Sequence, residues 1–392
     1  MSSDYVNTRV ASQRRVRRRR PWLDAAQTPF RDDAPMVGPP RTTAADFKMP
    51  RLRRCLFDLD GMVWEARMDG GMDGYVWKVR FGAQGPYVLK VFWDAKPVDF
   101  PTYYAPQREC QNAALLQMMQ TAVEQAAAAS RPIFVNAKPT TWDDAIANLA
   151  VFSDEARLEQ PSAADRGSEP PPGLRKISTM PRMKSCYGWL TIPGKVFQEL
   201  RLSLRPPPVQ VDRIKRYLAP DQEYIAIVYE YVEEGENHPD TMQKAMDFFW
   251  LAGFSRTFSP LSGNWKSGVL VDLSDIVPPY GYGWEAKLYE NGPGSAHILL
   301  KQLSRINKTR SRDYDRFLQK PRGESRSSKV CARLYWRKRK AYLVGVGRWT
   351  ENTIGAQLQE LEEEAAAPRF GVFGTSLLRG EAWQEEPYCQ SV

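Results

Sequence analysis

Tyr87-Val88-Leu89-Lys90-Val91-Phe92-Trp93 is an apolar run with a single cation near its middle, and Glu109 follows in Arg108-Glu109-Cys110 at the start of a helical stretch. A lysine inside an apolar strand costs desolvation unless an anion meets it. Glu109 is placed to be that anion if the stretch after the strand folds back as a helix against the sheet. Working outward, residues 62–68, 75–81 and 87–93 read as three short strands. Gly82-Ala83-Gln84-Gly85-Pro86 separates the last two, so the set forms an antiparallel meander. Residues 106–129 are rich in Ala, Leu, Met and Gln with no internal Pro or Gly, which predicts a helix of about six turns. Strands follow over 185–190 and 224–231, the latter apolar enough to be buried on both faces. A helix over 240–252 and a buried strand over 268–273 complete the ordered part. These elements define an α+β protein with antiparallel strands.

The chain has 392 residues, a formal net charge of +9 and 42% hydrophobic residues, enough to build at least one large core. No stretch approaches the roughly 18 uninterrupted apolar residues of a membrane span, and nothing resembles a secretory signal core, so reduced thiols are expected. Cys55, Cys110, Cys186, Cys331 and Cys389 have no CxxC spacing, and His238 and His297 are the only histidines. No metal site is predicted from them.

Charge divides the chain. Residues 1–50 carry +5, residues 51–300 carry −3, residues 301–340 carry +12 and residues 341–392 carry −5. Arg14, Arg15, Arg17, Arg18, Arg19 and Arg20 repel one another and lack apolar neighbours, a pattern suited to an import receptor or to phosphates. Residues 1–50 therefore read as a disordered basic arm, with order beginning near Leu56. A flexible insertion is expected around 161–173. The stretch 56–236 forms the strand-rich part, 237–300 a helical segment, and 301–392 a basic then acidic extension of open fold.

The order of strands and helices resembles the small lobe and the start of the large lobe of protein kinases, with a reduced helical large lobe. In Asp69-Gly70-Gly71-Met72-Asp73-Gly74-Tyr75-Val76, Gly71, Gly74 and Val76 match GxGxxGxV, while Asp69 replaces the first glycine. Lys90 and Glu109 match the lysine and glutamate pair, and Val271-Asp272-Leu273-Ser274 resembles the strand entering DFG, with Asp272 at the magnesium aspartate and Ser274 in place of glycine. If Asn264 is the catalytic-loop asparagine, Ser259 stands where the aspartate base belongs, and a serine hydroxyl is no match for a carboxylate as proton acceptor near neutral pH. Asn264 and Asp272 lie so close in sequence that little room is left for the usual hairpin between them.

Gly74-Tyr75-Val76-Trp77-Lys78-Val79, Arg108-Glu109-Cys110-Gln111-Asn112, Ile227-Val228-Tyr229-Glu230-Tyr231 and, above all, Asn264-Trp265-Lys266-Ser267-Gly268-Val269-Leu270-Val271-Asp272 resemble the fungal kinetochore family named for the Fta-two subunit of the Sim-four complex. That resemblance covers roughly residues 60–285. It implies a kinase-like scaffold in an inner-kinetochore assembly, nuclear and centromeric, with kinetochore or chromatin-associated proteins as partners and DNA contact through the basic flanks. No cofactor is required; ATP and magnesium enter only if the pocket is retained. The reading from another class is an active atypical phosphotransferase using Lys90, Glu109 and Asp272. A third, a phosphatase built on Asp58 and Asp60 in Phe57-Asp58-Leu59-Asp60-Gly61, lacks the threonine expected after its motif.

Overall fold

Phe30, Phe47 and Leu52 order the chain well before Leu56. The computed structural model describes residues 21–98, 102–159, 171–211, 214–258 and 260–301. Pro21–Ala26 forms α1, Arg31–Pro35 β1, Ala44–Lys48 α2 and Leu52–Arg54 β2. Phe30, Phe47 and Leu52 are buried in the main core, the Leu52 amide donates to the Phe30 carbonyl at 3.0 Å, and the Trp189 indole donates to the Asp32 carbonyl at 2.9 Å. The expected disordered arm over 1–50 is thus corrected for residues 21–50. Their apolar residues are sparse and irregular in sequence, yet each finds a partner far along the chain, which composition does not reveal. Arg14 to Arg20 lie outside the described residues.

Met62–Gly70, Gly74–Phe81 and Gln84–Phe92 form β3, β4 and β5, the expected meander. Ala105–Ala128 is α3, a 24-residue helix that starts with Pro106 in its first turn, where a missing N–H costs nothing. After it come β6 (Ile133–Asn136), α4 (Trp142–Ala150), α5 (Asp154–Glu159), β7 (Leu174–Ile177), β8 (Cys186–Pro193), α6 (Lys195–Glu199), β9 (Val209–Val211), β10 (Ile214–Arg216) and β11 (Glu223–Glu230). The insertion expected at 161–173 lies outside the described residues except for its last three positions. The remaining elements are α7 (Pro239–Leu251), β12 (Ser255–Arg256), a 3-10 turn at Ser262–Asn264, β13 (Trp265–Lys266), β14 (Val269–Leu270), a 3-10 turn at Leu273–Asp275, β15 (Ile276–Val277) and α8 (Ala286–Glu290).

Seven strands make one mixed sheet in the order β1-β2-β8-β11-β5-β4-β3. The β1–β2 and β2–β8 pairings are parallel and the other four antiparallel. β11 sits near the centre and is buried on both faces, as its sequence predicts. Ile225, Ile227 and Tyr229 point toward α3, and Tyr224, Ala226 and Val228 point to the opposite face. That opposite face is apolar and aromatic: Trp77 stacks on Phe197 at 5.4 Å between centroids, and its indole donates to the Leu204 carbonyl. The segment from α6 to Leu204 therefore covers a face of the sheet. On the α3 side, Met242, Ala245, Phe248 and Phe249 of α7 join the same core as Leu115 and Met119 of α3.

The stretch 268–273, expected as one strand, is split. Only Val269–Leu270 is paired as a strand, with Trp265–Lys266 in a hairpin turned by Ser267 and Gly268, both at positive φ (50° and 76°). A hairpin does fit between Asn264 and Asp272, because its turn takes only two residues.

Candidate functional site

The pleat of β5 sends Leu89 and Val91 into the aromatic face and leaves Lys90 on the α3 side. Glu109, in the second turn of α3, lies under it, fully buried. The Lys90 ammonium forms ion pairs with Glu109 and, at 2.9 Å, with Oδ1 of Asp272. Tyr229 of β11 donates its hydroxyl to the other Glu109 oxygen at 2.8 Å. Lys184, just before β8, lies 3.3 Å from the centroid of the Tyr229 ring and donates to the Val271 carbonyl at 2.7 Å. Two cations and two acids are thus gathered out of water around one tyrosine.

Burial and mutual charge set the proton affinities. Burial pushes Glu109 up to about 7 against the pull of Lys90. It draws Lys184 down to about 8, with Glu109 acting the other way. Burial also disfavours the Lys90 ammonium, but Asp272, Glu109 and then Asp73 outweigh it and hold the lysine charged well above its ordinary range. Asp272 is opposed by burial as well, yet Lys90 and its hydrogen bonds keep it below the usual carboxylate range.

Val76 is the cross-strand neighbour of Lys90. The glycines differ in purpose. A Cβ on Gly74 would lie 2.1 Å from the Val91 carbonyl oxygen, so this position admits no side chain; a Cβ on Gly71 would meet nothing within 4 Å. The turn they bound is tied down on all sides. The Gly71 N–H donates to the Gly74 carbonyl, the Trp93 indole donates to the Gly71 carbonyl at 3.0 Å, and the Tyr103 hydroxyl bonds the Asp73 carboxylate at 2.6 Å.

Asn264 is not brought to Asp272. Its amide donates to Asp275 at 3.0 Å, and Asp275 also accepts from the Leu261 N–H at 3.1 Å. Burial and then the charge of Asp272 push Asp275 up to about 7. The 3-10 turn carrying these acids is gripped by α3. The Asn112 amide donates to the carbonyls of Leu273 and Ile276 at 2.7 and 2.9 Å, and the Arg108 guanidinium, 3.8 Å from the Tyr103 ring centroid, donates to the Tyr282 carbonyl at 2.7 Å.

Of the residues singled out in the sequence, Val76, Lys90, Glu109 and Asp272 meet in one place, Gly71 and Gly74 flank it, and Asn264 stands apart. Position 259 lies outside the described residues. Lys184, Tyr229, Asp73 and Asn112 escaped the sequence reading as members of the cluster. Lys184 belongs to no periodic pattern, whereas a buried acid and a buried lysine already paired are a reason to look for further polar groups beside them.

The fit of these residues to a nucleoside triphosphate is poor in this arrangement. Gly71 spends its amide and carbonyl within the protein, and the turn contributes the carboxylate of Asp73 where phosphate would need donors. Asp272 Oδ1 accepts from Lys90 and from the N–H and hydroxyl of Ser274, and Asn264 is turned away from it. Asp144, which with Asp143 is the acidic pair the phosphatase reading would need for metal, completes a capping box with Thr141 at the start of α4, and the backbone N–H groups of Thr140 and Thr141 lower it to about 2. No helix among the described residues is long and apolar enough to cross a membrane. No protein-family model, curated protein or solved structure matches the chain.

Proposed function

We propose that the chain is a kinase-like protein that does not transfer phosphate and serves as a scaffold or subunit of an inner-kinetochore complex at the centromere. The observation that carries this reading is the buried Lys90, paired at once with Glu109 from the next helix and with Asp272. The strand and helix order around it resembles that of a kinase small lobe, which supports this reading. Two features favour binding over catalysis: an acid in the glycine turn, and Asn264 bonded to Asp275 instead of facing Asp272, where a second metal ligand would stand. The partners are kinetochore or chromatin-associated proteins, and the arginines at 14–20 supply a nuclear address or a contact to DNA phosphates.

Thermal-shift titration with ATP and magnesium should give no saturable shift. A saturable shift lost in Lys90→Met, together with phosphate transfer in a radiolabel assay, would replace the scaffold with the phosphotransferase. Tagged protein purified from nuclear extract should bring down inner-kinetochore subunits; their consistent absence removes the kinetochore assignment.

A further inference from the structure

The segment that covers the aromatic face of the sheet differs in charge from the body beneath it. Residues 195–217 hold six lysines and arginines against two acids, a net +4, whereas residues 51–300 as a whole carry −3. Positive charge is thus concentrated on one covering segment of an otherwise acidic body.

Local geometry puts the exposed part of that charge on one ridge. The Arg205 N–H donates to the Arg201 carbonyl at 3.2 Å, so the chain makes one helical turn and the two arginines, four residues apart, share its side. Buried Leu204 fixes the turn from below, its carbonyl accepting from the Trp77 indole at 2.9 Å. Arg67 of β3 reaches the same turn and donates to the Arg205 carbonyl at 2.8 Å, while Arg205 Nε donates to the Leu200 carbonyl at 2.6 Å. Farther along, Val209 of β9 pairs with Arg216 of β10. Arg216 turns inward to Asp94, so the alternation of the strand leaves Lys215 and Tyr217 together on its other side, both exposed. Arg67, Arg201, Arg205 and Lys215 are exposed, and among the described residues none of them has a carboxylate partner. Their neighbours do: Lys78 and Arg80 pair with Glu65, and Arg216 with Asp94. Arg67 and Arg205 each spend one N–H on a carbonyl and keep the rest of the guanidinium fork for a ligand.

We propose that this ridge is a contact for the phosphate backbone of nucleic acid, made by the folded part of the chain and separate from the arginines at 14–20. Guanidinium forks held at fixed positions match phosphate oxygens, Lys215 extends the charge along β10, and the exposed Tyr217 ring offers a flat face beside it. Contacts of this kind position the ligand without reading its sequence, and their strength depends on salt. The inference does not rest on the kinetochore reading, and loss of either leaves the other standing.

The test uses the full-length protein and the fluorescence anisotropy of a labelled duplex of mixed sequence across a potassium chloride series. The variant Arg67→Gln/Arg201→Gln/Arg205→Gln/Lys215→Gln should bind at least tenfold more weakly than its parent, and the slope of log K against log salt should shrink by about 3, since each phosphate contact contributes roughly 0.9. A variant with equal charge loss at exposed positions elsewhere, Lys48→Gln/Lys138→Gln/Lys176→Gln/Lys287→Gln, should change binding by threefold at most. The same difference should appear when the arginines at 14–20 are also replaced by glutamine, which keeps that tail from masking the ridge. Should Arg67→Gln impair folding, the triple variant at 201, 205 and 215 decides, with a slope change of about 2. Equal losses in the two sets of variants, or an unchanged slope in both backgrounds, overturn the proposal. So does a glutamate polymer that displaces the duplex as well as unlabelled duplex of the same charge, which would make the ridge a site for acidic protein.

Discussion

Lys90, buried in β5, and Arg256, half-buried in β12, are cations whose surroundings treat them differently. Around Lys90, Glu109, Asp272, Lys184 and Tyr229 complete one another, so the cluster is an internal fixture. At Arg256 the Nε is buried without a hydrogen-bond partner, beside the aromatic side chains of Trp250 and Trp265 that line the same pocket. Burial of charge alone therefore says little about function. The distinction lies in whether the chain itself supplies the counter-charge.

The largest expected effect sits in the satisfied cluster. Glu109→Ala leaves Lys90 and the Tyr229 hydroxyl without their shared acceptor and should cost about 3–5 kcal/mol, read from urea denaturation. The double variant Lys90→Met/Glu109→Leu should lose much less than the two single variants added together. Additive losses would show that Lys90 and Glu109 do not act as a unit, and the contrast with Arg256 would disappear.

A smaller effect comes from Asp275, whose acid is adjacent to both regions. An acid whose folded pKa is raised holds its proton better when folded. Its contribution is therefore full below the unfolded value near 4 and is lost as pH rises through about 7. Stability should fall by on the order of 2 kcal/mol between pH 5 and 7.5 through this group, and Asp275→Asn should flatten the profile. Glu109 titrates in the same direction over the same window, so a remaining slope in Asp275→Asn belongs to it. An unchanged slope would mean that Asp275 is ionised throughout.

The smallest effect should be opposite in sign. Arg256→Leu removes a half-buried cation with an unpartnered Nε and adds apolar surface among the aromatic residues that line the same pocket, so it should stabilise the protein by about 1 kcal/mol. Chemical denaturation of the ligand-free protein measures this. A loss instead of a gain would show that Arg256 has a counter-charge after all, and would place it beside Lys90 as a second internal fixture.

How much of this was legible in the sequence follows from the range of the interactions. The meander β3–β5, the helix α3 and the Lys90–Glu109 pair are carried by local alternation and by one incongruous residue in each element. β11 was equally plain, since six consecutive buried residues leave no other reading. The order in residues 21–54 is not visible there, because Phe30 and Phe47 pack on Tyr104, just before α3, and on Phe152, just after α4, rather than on their neighbours in sequence. The spacing leaves little room for the hairpin before Asp272, although Ser267-Gly268 is short enough to turn it. Lys184 and Arg256 share one obstacle: each is an isolated cation whose environment forms only when distant strands and helices meet.

Asp272 precedes the 3-10 turn and Asp275 ends it, with Asn112 holding the carbonyls of Leu273 and Ile276 from the α3 side. The turn thus acts as an axle between the two regions. Through it the bond of Asp272 to Lys90 and the bonds of Asp275 to Asn264 and the Leu261 N–H share one short stretch of backbone, which makes the loop before β13 a neighbour of the buried cluster in covalent terms as well.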